Sequence, residues 1–135
     1  MSKLIFNKLC IYPWTQSRGI SFRGYFIVND TLYKGKLAIK YLLDKLEDIK
    51  FEDILLNLNG VFSIIIDKSD EIYFATDRLR ALPLFYAFID GELIISDSAN
   101  SIYDMLPILN FNNISMEEFS NSGLFVSGQN TLFNE

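Results

Sequence analysis

Residues 58–98 read LNGVFSIIIDKSDEIYFATDRLRALPLFYAFIDGELIISDS and contain four short runs rich in Ile, Phe, Tyr and Val. These residue types are typical of pleated, half-buried β-strands. The runs cover residues 61–66, 72–76, 84–89 and 93–96, and turn-forming residues separate them. Asp90-Gly91 lies between the last two runs and indicates a tight hairpin, because glycine tolerates the positive φ angle that a two-residue turn requires. The simplest interpretation is one sheet of four antiparallel strands, on which the rest of the chain packs.

The segment before this block begins with two predicted strands. Residues 3–12 are largely apolar and predict the first strand. Residues 13–19 predict a loop, because they combine Pro and Gly with polar side chains. Residues 20–28 alternate loosely between the two faces of a strand, and Asn29-Asp30 ends this second strand.

Apolar residues then recur at helical spacing after Lys36, which predicts two helices. The first helix contains Ile39, Leu42, Leu43 and Leu46, and the second, shorter helix contains Phe51, Ile54, Leu55 and Leu58. Asn59-Gly60 would end the second helix, since glycine accepts the left-handed conformation at that position. Residues 98–105 predict a helix with a Ser98 cap, and Ser115 with Glu118 matches a capping box. Together the elements predict an α+β fold.

The composition of the 135 residues restricts the class of protein. Half of them are apolar and 15% are aromatic, which is enough for a core and fits a single domain over residues 1–135. The net charge of −5, with scattered basic residues, argues against a nucleic-acid partner. The absence of histidine excludes histidine-based metal sites and triads, and we expect neither metal nor cofactor. A single cysteine, and no apolar run near the roughly 18 residues of a membrane span, predict a cytoplasmic protein with no membrane partner.

The central block resembles the glutaminase domain of class II glutamine amidotransferases, within them the asparagine synthetase branch. That family reads L-N-G-x-F, then D-R-x-G-x-x-P-L-Y-Y, then a strand that ends in A-S-E. This chain has LNGVFS at residues 58–63, DRLRALPLFY at residues 77–86 and ISDS at residues 95–98. Asn130-Thr131-Leu132-Phe133 is similar to the R-T-L-F segment that closes the family's domain. The resemblance covers about residues 51–133, with the motifs in the family's order.

The resemblance implies a fold and an activity. The fold would be the N-terminal nucleophile hydrolase sandwich, in which two antiparallel sheets lie face to face with helices outside. The activity would be release of ammonia from glutamine, for use by a neighbouring ATP-dependent synthetase domain. The pyrophosphate loop of that second domain, S-G-G-x-D-S, does not occur in this sequence, and the second domain would begin near Asn134-Glu135.

The residues that would carry hydrolysis differ from the family pattern. The family's nucleophile is a cysteine at position 2, whose own α-amino group serves as the base. Here Ser2 takes that position and Lys3 replaces the following glycine. Ser2 is either an N-terminal nucleophile, weaker than a thiol, or an ordinary second residue. Cys10 is either a displaced nucleophile or a small apolar residue between Leu9 and Ile11.

Other positions that match the family are candidates either for ligand binding or for a structural role. The family forms its oxyanion hole with N-G-E, and the counterpart here is Asn29, followed by Asp30; the alternative is that both are turn residues. Asp77 and Arg78 match the family, either as an ion pair that fixes the loop before Pro83 or as ligand-binding residues. We interpret Asn59-Gly60 as structural.

These observations predict a degenerate, non-hydrolytic glutaminase-like domain. It would support or bind an asparagine-synthetase-like, ATP-dependent ligase domain or subunit, or form a homo-oligomer. Two alternatives stay open: an active amidohydrolase that uses Ser2 as its N-terminal nucleophile, and a free-standing binding or assembly protein.

Overall fold

The computed structural model describes residues 2–7, 11–68 and 71–106, together with the single positions 113, 117, 120 and 121. Over these residues the chain forms eight strands and three helices. In chain order they are β1 (Ser2–Ile5), β2 (Thr15–Ser17), β3 (Ile20–Val28), β4 (Thr31–Lys34), α1 (Gly35–Leu46), α2 (Phe51–Leu55), β5 (Asn59–Lys68), β6 (Glu71–Thr76), β7 (Phe85–Ile89), β8 (Glu92–Ser96) and α3 (Ala99–Tyr103). The predicted α+β class is confirmed, with two separate sheets.

The larger sheet has five strands in the order β2-β3-β5-β6, with β4 also paired to β3. All its pairings are antiparallel, and β3 pairs with β5 over eight residues. β2 pairs with the start of β3 and β4 with its end, both on the edge away from β5. Gly24 falls between these two pairings, with a φ angle of +90°. A side chain there would meet the Val61 carbonyl oxygen at 2.0 Å, so glycine permits the close approach of β3 and β5.

The smaller sheet has three strands in the order β1-β8-β7. The β7–β8 hairpin turns at Asp90-Gly91, whose φ angles are 53° and 79°, as the sequence predicted. β1 lies parallel to β8, from Ser2 opposite Leu93 to Ile5 opposite Ser96. The expectation that both sheets are antiparallel is therefore wrong for this one.

The prediction of one four-stranded sheet over residues 58–98 is also wrong. β5 and β6 belong to the larger sheet, and β7 and β8 belong to the smaller one. The connection over residues 77–84 passes from one sheet to the other, because the buried Asp77 folds it into a compact loop and not a hairpin turn.

Helices cover the outer face of each sheet. α1 and α2 pack on the larger sheet around a cluster of buried apolar residues that includes Phe22, Phe26, Leu42 and Ile64. α3 packs on the smaller sheet around Ala87, Ile94 and Ile102. The inner faces of the two sheets contact each other, for example through the rings of Phe74 and Tyr86, whose centroids lie 5.4 Å apart. None of the helices in the described ranges is long and apolar enough to span a membrane.

Several predicted element boundaries are corrected. The first strand, expected over residues 3–12, is β1 at Ser2–Ile5, and residues 8–10 of the expected range lie outside the described residues. The expected loop at residues 13–19 contains β2. α2 ends at Leu55, before Leu58, and Asn59 already belongs to β5. Gly60 does not adopt the left-handed conformation. Glycine is needed there for space, because a Cβ would lie 2.3 Å from the Tyr25 carbonyl oxygen. The helix predicted at residues 98–105 is α3, and Ser98 makes no side-chain cap hydrogen bond. The Ser115–Glu118 capping box lies outside the described residues.

Candidate functional site

Ser2 lies at the start of β1, on the edge of the smaller sheet. Its backbone is opposite Leu93 in the parallel ladder, and its side chain is half-buried. The Ser2 hydroxyl donates a hydrogen bond to Asp67 Oδ2 at 3.4 Å. Asp67 lies near the end of β5, and its backbone N–H donates to the Gly19 carbonyl just before β3. Ser2 is therefore placed beside the end of the larger sheet at which β3 begins.

Asn29 lies at the opposite end of the same sheet. Asn29 and Asp30, with φ angles of 47° and 60°, form the two-residue turn between β3 and β4, and both are exposed. β3 has nine residues, and a strand advances about 3.3 Å per residue, so the turn is roughly 30 Å from the end near Ser2. The structure does not bring Ser2 and Asn29 together. Cys10 lies outside the described residues.

Asp77 is buried, and its carboxylate binds backbone N–H groups. Oδ1 accepts hydrogen bonds from Leu79 N at 3.0 Å and Ala81 N at 3.3 Å, and Oδ2 accepts from Ala81 N at 3.2 Å and Phe62 N at 3.4 Å. The Asp77 backbone N–H also donates a hydrogen bond to the Phe62 carbonyl of β5 at 3.0 Å. One carboxylate thus shapes the loop after β6 and fixes it to β5.

Arg78 takes no part in this arrangement. Its side chain is exposed and donates from Nη2 to the Leu56 carbonyl at 3.4 Å. The ion pair expected between Asp77 and Arg78 is not formed, because the backbone N–H groups of the loop already surround the Asp77 carboxylate. The loop role predicted for Asp77 therefore works through main-chain hydrogen bonds.

A cluster of polar side chains that the sequence analysis did not predict connects the two sheets. We call it the inter-sheet cluster, and it consists of Trp14, Arg23, Ser63 and Asp97. Arg23 on β3 and Asp97 after β8 form an ion pair at 3.3 Å, with side-chain exposures of 5% and 1%. Because its two charges come from different sheets, this pair ties the larger sheet to the smaller one.

Each polar atom of the Arg23 guanidinium has a partner. Nε donates to Ser63 Oγ at 3.1 Å, Nη1 donates to Asp97 Oδ2 and Nη2 donates to the Pro83 carbonyl at 2.8 Å. The Ser63 hydroxyl in turn donates to the Leu82 carbonyl at 2.5 Å. The loop that Asp77 shapes is thereby also held to β3. A buried charge that is paired and hydrogen-bonded through each of its nitrogens is expected to be a structural element.

Asp97 is also surrounded by donors. Trp14 Nε1 donates to Oδ2 at 2.8 Å, and the Asn7 backbone N–H donates to Oδ1 at 2.8 Å. The Trp14 ring stacks on Phe6 at 4.1 Å between centroids and lies 5.0 Å from the Arg23 guanidinium carbon. The segment after β1 is thus held at the same junction. The sequence carried one signal for it: Asp97 ends the I-S-D run that resembles the family's A-S-E.

Within the described ranges, no group of three or more His, Cys, Asp or Glu side chains is placed to hold a metal ion. Comparison of the chain with models of protein families, with curated proteins and with solved structures found no match. A function is therefore proposed from the residues and their geometry.

Proposed function

We propose that this chain is a degenerate, non-hydrolytic glutaminase-like domain that supports an asparagine-synthetase-like, ATP-dependent ligase domain or subunit. The layer order supports the proposed kinship with N-terminal nucleophile hydrolases. Helices α1 and α2 cover one sheet, α3 covers the other, and the two sheets contact each other through their inner faces. This order matches the sandwich that the resemblance implies, although β1 runs parallel to β8.

The observation that carries the proposal is the role of the acidic residues in the family-like motifs. Asp77, from D-R-x-x-x-x-P-L, and Asp97, from I-S-D, are both buried, and both accept several hydrogen bonds at the junction between the sheets. Buried carboxylates are costly unless they are paired or hydrogen-bonded, so residues placed in this way are expected to be part of a scaffold. Two acidic residues of the family-like motifs, Asp77 and Asp97, therefore support the fold.

The separation of the candidate catalytic residues supports the absence of hydrolysis. An oxyanion hole acts only when its donors lie about 3 Å from the developing charge. Asn29 is roughly 30 Å from the end of β3 that lies near Ser2, a distance that follows from the nine residues of the strand. The Ser2 hydroxyl also donates to a carboxylate, Asp67, whose negative charge would oppose a second negative charge nearby.

Hydrolysis is tested by measuring ammonia release from glutamine. The full chain and its Ser2→Ala variant are compared, after mass spectrometry has established whether Met1 is removed. We expect both proteins to release no ammonia above the rate without protein. Release by the unaltered chain that Ser2→Ala abolishes would identify an active N-terminal-serine amidohydrolase and overturn the proposal.

The partner is tested separately, by co-expression with a ligase chain from the same genome that carries S-G-G-x-D-S. We expect the two chains to co-elute on a sizing column and the ligase to accept free ammonia. Separate elution of the two chains would contradict the partner role. It would favour a free-standing assembly protein or a homo-oligomer, and the elution volume of the chain alone distinguishes these two.

A further inference from the structure

A groove of about 410 Å³ lies at the end of the larger sheet where β3 turns into β4. The turn residue Asn29 forms one side, Tyr41 and Lys45 of α1 form a second, and Asn57, just before β5, with Asn59, its first residue, forms a third. The walls between these polar groups are apolar and include Val28, Ile49 and Ile54. Most of the surface that lines the groove is polar, which suits a ligand held mainly by charge and hydrogen bonds.

Much of the hydrogen-bonding capacity in this groove is unused. Within the described ranges, the side-chain amides of Asn29 and Asn59 bond to no other residue of the protein. Asn57 donates from Nδ2 to the Asp53 carbonyl at 3.1 Å, which fixes its orientation and leaves its Oδ1 available. Three amides from two segments of the chain thus present donors and acceptors to one space.

Lys45 supplies a positive charge without a carboxylate partner in the described part of the chain. Its ammonium lies 5.8 Å from the ring centroid of Tyr41, which also lines the groove. Burial, and to a smaller extent the nearby Tyr33, raise the pKa of the Tyr41 phenol, so its O–H stays protonated and can donate. Both groups are suited to an anionic ligand.

The charge around the groove points to the same ligand class. No acidic residue lines it. Two other grooves, along α1 and at the start of α2, mix carboxylates with lysines: the first contains Asp44, Glu47 and Asp67, and the second contains Glu47, Asp48 and Glu52. Asp30 and Asp53 are close in sequence to residues of the groove at Asn29, but both are exposed and neither lines it. Of these three grooves, the one at Asn29 has a cation and no carboxylate beside it.

We propose that this groove binds an N-acylated α-amino carboxylate, the group found at the C-terminus of a peptide. Lys45 and the Tyr41 phenol hold the carboxylate, because charged acceptors gain most from cationic and hydroxyl donors. The Asn side-chain amides pair with the adjacent peptide group of the ligand. An Asn amide can donate to the peptide carbonyl and accept from the peptide N–H at the same time. The apolar wall of Ile49 and Ile54 contacts the side chain of the terminal residue. The inference is independent of the proposed ligase role.

The test is an NMR titration of the full, nitrogen-15-labelled chain. The probes are N-acetyl-L-alanine, an acetylated tripeptide with a free C-terminus, and the same tripeptide as its C-terminal amide. We expect saturable shifts of the Asn29, Asn57 and Asn59 side-chain amide signals with the two carboxylates and none with the amide. Tighter binding of the tripeptide identifies peptide C-termini as the source, and equal binding identifies small N-acyl amino acids. No shift with either carboxylate, or equal shifts with the C-terminal amide, would overturn the proposal.

Substitutions distinguish binding in the groove from non-specific binding elsewhere on the surface. Lys45→Gln should weaken the binding of the carboxylate probes about tenfold or more, as expected when a charged hydrogen bond is lost. Lys40→Gln is the matched control. Lys40 is on the same helix but lines the groove along α1, so the variant should leave binding unchanged. Asn29→Gly keeps the left-handed turn and removes only the amide, so it should weaken binding without unfolding. Equal affinity of Lys45→Gln and Lys40→Gln would count against the site.

Discussion

At the residue scale, Asp77 explains why the chain between β6 and β7 leaves one sheet for the other. Its carboxylate collects the N–H groups of Phe62, Leu79 and Ala81, which fixes where the loop begins and how it bends. These donors face a buried carboxylate, and without it they would be left without an acceptor. The side chain therefore acts as the organising centre of the loop.

We expect Asp77→Ala to lower the free energy of unfolding by about 3 kcal/mol, because it removes a charged acceptor from several buried donors. Asp77→Asn keeps one oxygen acceptor and should cost less. Arg78→Ala, at the next and exposed position, is the control and should change stability by about 0.5 kcal/mol or less. Urea denaturation of the three variants measures these differences. A loss in Arg78→Ala equal to that in Asp77→Ala would show that an ion pair, and not the backbone hydrogen bonds, holds the loop.

The Tyr41 phenol makes the folded state sensitive to alkaline pH. Burial, followed by the proximity of Tyr33, raises its pKa above 10.0, whereas the unfolded chain has the ordinary value. Below pH 10 both states keep the proton and the stability is unaffected. As the pH rises above 10, the unfolded state ionises first, so the free energy of unfolding falls until Tyr41 also ionises in the folded state.

Tyr33→Phe should therefore lower the Tyr41 pKa only in part, because burial, the larger cause, is retained. The shift is measured from the NMR signal of the Tyr41 ring as the pH is raised, and the alkaline loss of stability should become smaller in the variant. Tyr86→Phe, on the smaller sheet, is the control. A Tyr41 pKa that Tyr33→Phe leaves unchanged would contradict the assigned contribution of Tyr33.

At the scale of single elements, two glycines with similar φ angles have different roles. Gly91 has a φ angle of +79° and nothing within 4 Å of an added Cβ, whereas Gly24, at +90°, would place that atom 2.0 Å from the Val61 carbonyl oxygen. Gly91 thus supplies only the conformation of a turn. Gly24 supplies both the conformation and the space in which β3 passes β5.

Gly91→Ala should cost about 1 kcal/mol, the usual penalty for a left-handed L-residue. Gly24→Ala should cost at least twice that, because the backbone of β3 must also move away from Val61. Thermal or urea unfolding of the two variants gives the comparison. Equal losses would show that β3 and β5 adjust without strain and that the contact at Gly24 is unimportant.

The same elements show what the sequence can and cannot predict. The hairpin at Asp90-Gly91 and the helix Gly35–Leu46 were predicted because their signals are local, a turn dipeptide and a helical apolar spacing. The parallel pairing of β1 with β8 depends on contacts about 90 residues apart, for which a short apolar run has no signature. The sequence did not predict that Arg23 is buried. Alternation along a strand separates its two faces, but it does not show which face a second sheet will cover.

At the scale of the whole molecule, the two sheets have cores of different size. In the described residues, the cluster between the larger sheet and helices α1 and α2 contains twelve buried apolar residues, and the cluster beneath α3 contains three. Burial of apolar area is the main source of folding stability, so the smaller sheet depends more on its contacts with the larger one. The ion pair between Arg23 and Asp97 lies at that junction, with both side chains almost fully buried.

We therefore expect Arg23→Met to loosen the smaller sheet first. The substitution leaves the Asp97 carboxylate buried without its cation, a loss that typically costs about 3–5 kcal/mol. In native-state hydrogen exchange, the amides of β1 and β8 should exchange much faster in the variant, while those of β3 and β5 should change less. Arg23→Met combined with Asp97→Leu should recover part of the loss, since no buried charge is left unpaired. Uniform acceleration across both sheets would mean that the molecule opens as one unit, and that the inter-sheet cluster does not hold a weaker sheet to a stronger one.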